Sequence, residues 1–213
     1  VEGHFEINSR SEKIICSLKK GQKKQLKRND KVYEKLADHI GLIPTVMITP
    51  IDRDLILEGS QVRRKFMDGI IGQTNSFFLK NLLDYQKVLS QRNALLKYFA
   101  LNHTFDQKTL EVYDHQLVEL SKPLYQARIE FIAAYLPLFI ARYQFISAAG
   151  EEIDLVYSSD LSDQTMEDLL TKNLAKDKLL QYTSSGIHKD DLDFLLGERQ
   201  IKKFGSQGQQ KTF

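Results

Sequence analysis

Near the start of the chain, apolar residues recur at every second position. From Glu12 to Leu18, Ile14, Cys16 and Leu18 fall on one face and Lys13 and Ser17 on the other, as in a half-buried strand. Gly21-Gln22 can turn the chain, and Lys23 to Arg28 returns as a basic strand with Leu26 facing in. Asn29-Asp30 reads either as a second tight turn or as the N-cap of a short helix. Either way Tyr33, Leu36 and Ile40 follow at helical spacing up to Gly41. The β-branched run Thr45 to Thr49, bracketed by Pro44 and Pro50, predicts a buried strand ended by proline.

The period then changes. Phe78, Leu82, Tyr85, Leu89, Arg92, Leu96 and Phe99 step by alternating fours and threes. After a break at Asn102-His103-Thr104, the series resumes with Leu110, Tyr113, Leu117, Leu120, Leu124, Ala127, Phe131, Ala134, Leu138, Ala141 and Phe145. A seam with this 3.5-residue period predicts two helices packed side by side. The short connection makes them an antiparallel hairpin, with arms of roughly 35 and 60 Å, the second kinked at Pro123 and Pro137. Such a seam is core packing and carries no chemistry by itself. Arg92, standing on it, is expected to pair with a carboxylate of the neighbouring helix.

Mixed structure closes the chain. Glu152 to Tyr157 alternates as a strand, and Asp163 to Leu180 reads as a helix capped by Ser162 or Asp163. That helix carries Met166, Leu169, Leu170, Leu174 and Leu179 mostly on one side. Asp191 to Leu196 and Arg199 to Lys203 predict a hairpin around Gly197-Glu198. Strand, helices, strands: the order is that of an α/β or α+β fold with an inserted helical arm.

Composition narrows the class. With 213 residues, 42% hydrophobic and 27% charged, the chain is no disordered tail. Cys16, the single cysteine, excludes a disulfide scaffold, and a lone thiol behind no leader-like start predicts a reducing cytoplasm. The longest apolar run, residues 129–140, is interrupted by Glu130 and Pro137 and falls short of the roughly 20 residues of a membrane helix. The net charge of +2 hides a concentration. Lys19, Lys20, Lys23, Lys24, Lys27, Arg28, Lys31 and Lys35 face only Asp30 and Glu34, a net +6 that leaves −4 elsewhere. Such a stretch is either a solvated hairpin or a footprint for a polyanion. The chain opens at Val1 without a methionine and stops at Phe213, just beyond a Gly-Ser-Gln cluster that would open a helix. An internal piece of a longer protein is expected.

Candidate chemistry is sparse. The five histidines, His4, His39, His103, His115 and His188, are scattered, with no second cysteine and no metal-ligand spacing. No nucleophile-elbow motif supports a Ser/His/Asp triad. The glycine cluster after Phe204 has two readings. As a phosphate loop, Gly205, Lys211 and Thr212 fit GxxxxGK[ST], but Gln210 stands where a glycine must let the backbone wrap a phosphate. As Ser-x-Gly-Gln opening a helix, Ser206 to Gln209 resembles the ABC-ATPase signature motif, in which a hydroxyl and free N–H groups at a helix N-terminus favour an anion.

Several further stretches, in order, resemble the RecF family of DNA replication and repair proteins. Ile48-Thr49-Pro50, then Asp54-Leu55 and Glu58-Gly59, is similar to its TPED-L-L-x-G loop, with Ile51 and Arg53 altering the middle. Arg63-Arg64-Lys65-Phe66-Met67-Asp68 resembles RRxFLD, and Gln91 to Lys97 resembles QRNxLLK. Gly186 to Leu192 resembles GPHRDDL, with Ile187 for proline and Lys189 for arginine, and Ser206 to Lys211 resembles SxGQQK.

The resemblance implies an α/β P-loop NTPase head of the ABC/SMC-like kind, held here in part. Residues 1–58 would be a β-rich piece of the ATPase lobe, and residues 59–213 a helical lobe ending at the signature motif. It implies a parent that binds ATP and Mg²⁺, dimerises on ATP, binds DNA at single-strand/double-strand junctions, and acts with RecR and RecO to load RecA. Ser206, Gln207, Gly208 and Gln209 would form the cofactor-binding element, in which Ser206 and Gly208 meet the γ-phosphate across the dimer and Gln209 supports the turn. Pro50, Asp52 and Asp54 occupy the Q-loop position, although no glutamine stands there. Lys19, Lys20, Lys23, Lys24, Lys27, Arg28, Arg63 and Arg64 are the candidate DNA contacts, although one of Arg63, Arg64 and Lys65 could instead pair with Asp68. His188 and Asp191 would position the signature helix, read DNA, or form a structural hydrogen-bonded pair. The family's Walker A and Walker B patterns do not occur in this sequence, so the chain alone is expected neither to bind ATP tightly nor to hydrolyse it. The alternative class is a nucleic-acid-binding and partner-docking module without a nucleotide role.

Overall fold

The computed structural model of the chain describes all residues except 48, 50–53, 148 and 149, and of Lys211 the backbone only. Strands β1 (Glu2–Ile7), β2 (Arg10–Ser17), β3 (Gln25–Arg28) and β4 (Lys31–Val32) form an antiparallel sheet in chain order. Two of its turns are dipeptides with both residues left-handed, Asn8-Ser9 (φ 50° and 60°) and Asn29-Asp30 (φ 48° and 66°), as tight hairpins require. Asn29-Asp30 is thus a turn and not a helix cap. Ile14 and Leu26 are the buried apolar side chains of this sheet. Leu18, expected beside them, lies beyond the end of β2 and is exposed.

Two further expectations fail in this part of the chain. Leu36 to His39 makes only a 3₁₀ turn, with Leu36 and Ile40 largely outside. Thr45 to Met47 forms no strand, and Val46 is 90% exposed. A buried strand needs a neighbouring edge, and none lies beside this segment among the described residues. Ile48 and Pro50 are outside the described set, as are Ile51, Asp52 and Arg53 of the loop that follows.

The helical hairpin is present. After α1 (Asp54–Leu57), which Asp54 opens, and α2 (Ser60–Thr74), come α3 (Ser76–Asn102) and α4 (Gln107–Ser147). Asn75 caps α3 by accepting the Phe78 N–H at 2.9 Å, and His103 ends it in the left-handed region. The α3 seam buries Phe78, Leu82, Tyr85, Arg92, Leu96 and Phe99, as its spacing predicts. In α4 the prediction holds only for the first half. Leu110, Leu117 and Leu124 are buried, but then Arg128, Ile132, Phe139 and Tyr143 face in. Leu138 (66% exposed) and Phe145 (83% exposed) face out. Positions 110, 121, 132 and 143 are eleven apart, or about 3.67 residues per turn, close to a straight helix; a 3.5 repeat drifts by about 20° per heptad against that. The 41-residue α4 also outruns the 27-residue α3, and its far half packs on the second sheet instead. The helix runs through both Pro123 and Pro137. By length and composition α4 is apolar enough to cross a membrane, its best 18-residue window averaging a hydropathy of 1.3, which the shorter run 129–140 had not suggested.

Strands β5 (Ile153–Ser158), β6 (Asp191–Leu196) and β7 (Arg199–Gln200) form the second antiparallel sheet, with Leu155 opposite Phe194 and Ile153 opposite Leu196. The expected second arm of the β6 hairpin is short, because the chain coils at α6 (Ile201–Phe204) to bury Ile201 completely. Between β5 and β6, α5 (Met166–Leu180) is capped by Thr165 rather than by Ser162 or Asp163. Leu179 is exposed and Asp177 is the buried residue of its last turns. The last element is α7 (Gln207–Thr212). One core joins α2, the hairpin, α5 and the second sheet through Met67, Tyr85, Leu117, Leu124, Ile187 and Leu192.

Candidate functional site

The motif stretches converge, and they do so on buried arginines. Arg63, on α2, donates from Nε and Nη2 to the two carboxylate oxygens of Asp191 at 2.6 and 2.9 Å. Its Nη1 donates to the carbonyls of Leu55 and Glu58 at 3.1 and 2.9 Å. Burial alone would raise the Asp191 carboxyl, but the Arg63 hydrogen bonds outweigh it and hold the group below the usual range. One side chain thus ties the loop before α2 to the start of β6. Arg128 on α4 does the same for a second set. It donates to both oxygens of Asp68 at 2.9 and 3.0 Å, to Asp190 Oδ2 at 2.9 Å and to the Ile187 carbonyl at 2.7 Å. The Tyr157 hydroxyl also donates to Asp190 Oδ2.

Arg92 completes the pattern on the hairpin seam. It is fully buried, donating to Asp114 of α4 at 2.6 Å, to Asp177 of α5 at 2.8 Å and to the Thr183 hydroxyl at 2.9 Å. Asp177 therefore takes the inward position on α5 and Leu179 is turned out. Asn93 accepts the Thr183 N–H at 2.7 Å, so the QRN stretch fixes the loop after α5. The expected carboxylate on the neighbouring helix is Asp114, and the second one, Asp177, comes from an element the seam did not reveal.

His188 and Asp191 are each satisfied, but not by one another. The Tyr85 hydroxyl donates to His188 Nδ1 at 2.9 Å, and Nε2 donates to the Thr183 carbonyl at 2.9 Å. Burial lowers the imidazole to about 4, so it is neutral at ordinary pH. Gly186, at φ 113° with Met166 packed where a Cβ would stand, admits only glycine there.

The predicted DNA contacts divide into three groups. Lys19, Lys20, Lys23 and Lys24 are exposed around the turn before β3. Lys27 is half-buried, and none of these five makes an ion pair with a described carboxylate. Arg28 binds Glu12 at 2.5 and 2.8 Å, and this contact holds the Glu12 carboxyl down at about 2. Arg63 is internal, with every arm of its guanidinium turned toward Asp191 and the carbonyls, which removes it from any outward phosphate surface. Arg64 donates to the Asp190 carbonyl at 2.5 Å and has no carboxylate partner among the described residues. With Lys65, Asp68 and His188 it lines a cleft of about 250 Å³ between α2 and α3. Asp68, which could have paired with this group, is taken by Arg128.

The signature stretch sits at the opposite end of α4. Ser206 caps α7 in a reciprocal box: its Oγ accepts the Gln209 N–H at 3.2 Å, and Gln209 Oε1 accepts the Ser206 N–H at 2.7 Å. Ser206, Gln207 and Gly208 are exposed, while Gln209 and Gln210 turn inward. Gln209 Nε2 donates to Glu151 at 2.7 Å, and Gln210 Nε2 donates to the carbonyls of Ile201 and Gly205 at 3.3 and 3.2 Å. Phe213 packs its ring 4.9 Å from Tyr143 and 5.4 Å from Phe139. A Cβ on Gly205 would come within 2.5 Å of Ile201, so glycine is needed there for packing. A Cβ on Gly208 would meet only Ser206 Oγ, at 3.8 Å. Nothing among the described residues requires a glycine at 208.

Sequence reasoning did not single out Arg128, Asp114, Asp177, Asp190 or Glu151. The drift of the α4 register hid Arg128, and the others take their meaning from partners distant in the chain.

No family model matches the chain. It is 56% identical over 213 residues to the DNA replication and repair protein RecF of Flavobacterium johnsoniae and 42% identical to that of Parabacteroides distasonis. Both alignments cover 100% of this chain, and 59% and 57% of those proteins. It superposes on the solved structure of the recombination mediator protein RecF-ATPrS in the RecFOR pathway with a TM-score of 0.90 and 26% identity, over 99% of this chain and 59% of that one. The corresponding RecF-ATP structure gives a TM-score of 0.88 at 27% identity, over 95% of this chain and 56% of that one. These likenesses define an α/β fold of the SMC- and ABC-like ATPase kind, of which the chain holds a part. The chain belongs to the RecF family, and it spans under three fifths of the length of these relatives.

Proposed function

We propose that this chain is the central part of a cytoplasmic protein that dimerises on ATP and binds DNA at gaps and junctions, supporting RecA loading together with RecR and RecO. Residues 1–58 would belong to the ATPase lobe and residues 59–213 to a helical lobe that ends in the signature element. The observation that carries this reading is the orientation of α7. Its inward residues, Gln209 and Gln210, are anchored, while Ser206, Gln207 and Gly208 face outward. The Ser206 oxygen is engaged as an acceptor, which leaves its proton free to donate. The amides of Gln207 and Gly208 find no acceptor among the described residues. Free donors beside a residue with no Cβ fit the γ-phosphate of a nucleotide held by a second molecule. ATP and Mg²⁺ would be gripped by Walker motifs that this sequence does not contain, so the isolated chain would neither bind ATP tightly nor hydrolyse it.

The test is Ser206→Arg in the full-length protein. Dimerisation on ATP should be lost while the monomer still binds ATP; a variant that dimerises normally would remove the signature reading.

The second class, a nucleic-acid-binding module with no nucleotide role, draws on the exposed lysines at 19, 20, 23 and 24. They and Lys27 are the proposed phosphate contacts, with Arg64 as a half-buried addition. Changing Lys19, Lys20, Lys23 and Lys24 together to Glu should abolish duplex binding and flatten its salt dependence, since each phosphate contact adds about one to the log–log slope. Unaltered DNA affinity would take the hairpin out of the interface.

A further inference from the structure

One carboxylate joins the signature helix to the rest of the molecule. Glu151, between the end of α4 and β5, accepts the Tyr143 hydroxyl at 2.5 Å on one oxygen and Gln209 Nε2 at 2.7 Å on the other. Tyr143 is 2% exposed, so this contact starts from a fixed point on α4. Gln209 is at the same time the third residue of α7, and its Oε1 accepts the Ser206 N–H at 2.7 Å. The amide of Gln209 therefore has one end on Ser206 and the other on Glu151. Its orientation is fixed from both ends, because the Ser206 N–H requires the oxygen of Gln209 and the Glu151 carboxylate requires its nitrogen.

We infer that Glu151 is a positioning residue for the composite nucleotide site, setting the angle at which Ser206 is presented to a second molecule by fixing the Gln209 amide; this rests on the signature reading above. Both oxygens of Glu151 are occupied by donors, so the group acts as a fixed acceptor and not as an acid or base. The chain of contacts runs from the buried Tyr143 through Glu151 and Gln209 to Ser206, and it is the side-chain hydrogen-bonded connection from α4 to that serine among the described residues.

The hydrogen-bond polarity gives the test. In Glu151→Gln, the negative charge of the acceptor is lost, and the amide can keep both contacts only by turning its nitrogen onto the Tyr143 oxygen, which takes the proton of that hydroxyl off its partner. In Gln209→Glu, two carboxylates confront each other. Combining the two substitutions restores every link with the polarity of the middle one reversed. The amide now at position 151 accepts from Tyr143 and donates to the carboxylate now at position 209. The other oxygen of that carboxylate accepts the Ser206 N–H, as an acidic side chain does in an ordinary capping box. ATP-dependent dimerisation of the full-length protein, followed by analytical ultracentrifugation, should weaken at least about tenfold in each single variant, as expected for a lost charge-assisted contact, and return to within about threefold in the double variant. ATP binding by the monomer, measured in parallel, should be unchanged in each variant, which places the loss in the presentation of Ser206 and not in the fold. A double variant no better than either single one, or a Glu151→Gln protein that dimerises like the parent, overturns the role of Glu151. Ser206→Arg run in parallel separates the two failures. Dimerisation lost with Ser206→Arg but kept with Glu151→Gln leaves the signature reading standing alone, whereas dimerisation kept with Ser206→Arg removes that reading and the inference with it.

Discussion

Charged side chains in this chain are best read by where their hydrogen bonds go. Arg63, Arg92 and Arg128 carry the charge that DNA binding would use, yet each is directed inward onto carboxylates from another element. Sequence makes the charge legible but not its direction. Arg92 could be anticipated because it interrupts an apolar seam, whereas Arg63 sits beside Arg64 and Lys65 in a run that looks uniformly exposed. His188 allows a measurement at this scale. Its burial lowers the folded imidazole to about 4, against an ordinary value near 6.5. Below pH 6.5 the unfolded chain takes up a proton that the folded chain refuses, so the contribution to stability is complete above 6.5 and is lost as the pH falls toward 4. The loss should be about 2 kcal/mol at pH 5, and about 3 kcal/mol at pH 4. His188→Gln can keep both hydrogen bonds without titrating. Urea denaturation of the two proteins at pH 7.5 and 5 should show that excess loss only with histidine; parallel curves would place His188 in contact with water.

Among the elements, the helical hairpin was legible along α3 and the first half of α4, since seven-residue spacing requires no knowledge of a partner beyond a second helix. Its far end was not. Whether Leu138 or Phe139 faces in depends on β6 and Phe213, which reach α4 from more than fifty residues away in the chain. Gly197 marked the turn of the β6 hairpin and Asn29-Asp30 a turn or a helix cap, while the Asn8-Ser9 turn went unmarked; Thr45 to Met47 belongs to a run with the composition of a strand but finds no edge to pair with among the described residues. The register gives a clean contrast. Leu124→Ala should cost about 2–5 kcal/mol, because it opens a cavity in a fully buried position. Leu138→Ser should stay within about 0.5 kcal/mol, because the residue faces outward in this chain. Equal losses from the two, measured by denaturant midpoint, would restore the seam that the spacing alone suggests.

At the scale of the whole molecule, the described residues form a large core that takes in the second sheet, beside a first sheet with little core of its own. The core runs continuously from α2 through the hairpin to β6, whereas the β1–β4 sheet buries only Ile14 and Leu26 as apolar side chains. Opening the sheet exposes little apolar surface, so its backbone amides should exchange with deuterium at least about a hundredfold faster than those in the middle of α3. Comparable protection in both would mean that the sheet opens only with the whole molecule.

The Arg92–Asp114 pair has a consequence for how the hairpin comes together. Two long arms faced mainly with leucine and phenylalanine can slide past each other by a helical turn and still cover their oily sides. A lone cation on one arm and a lone anion on the other act as a notch, since a one-turn slip would strand both charges against hydrocarbon. Asp177 closes the same notch only when α5 arrives, so the correct alignment of the arms is proofread by a segment made later in the chain.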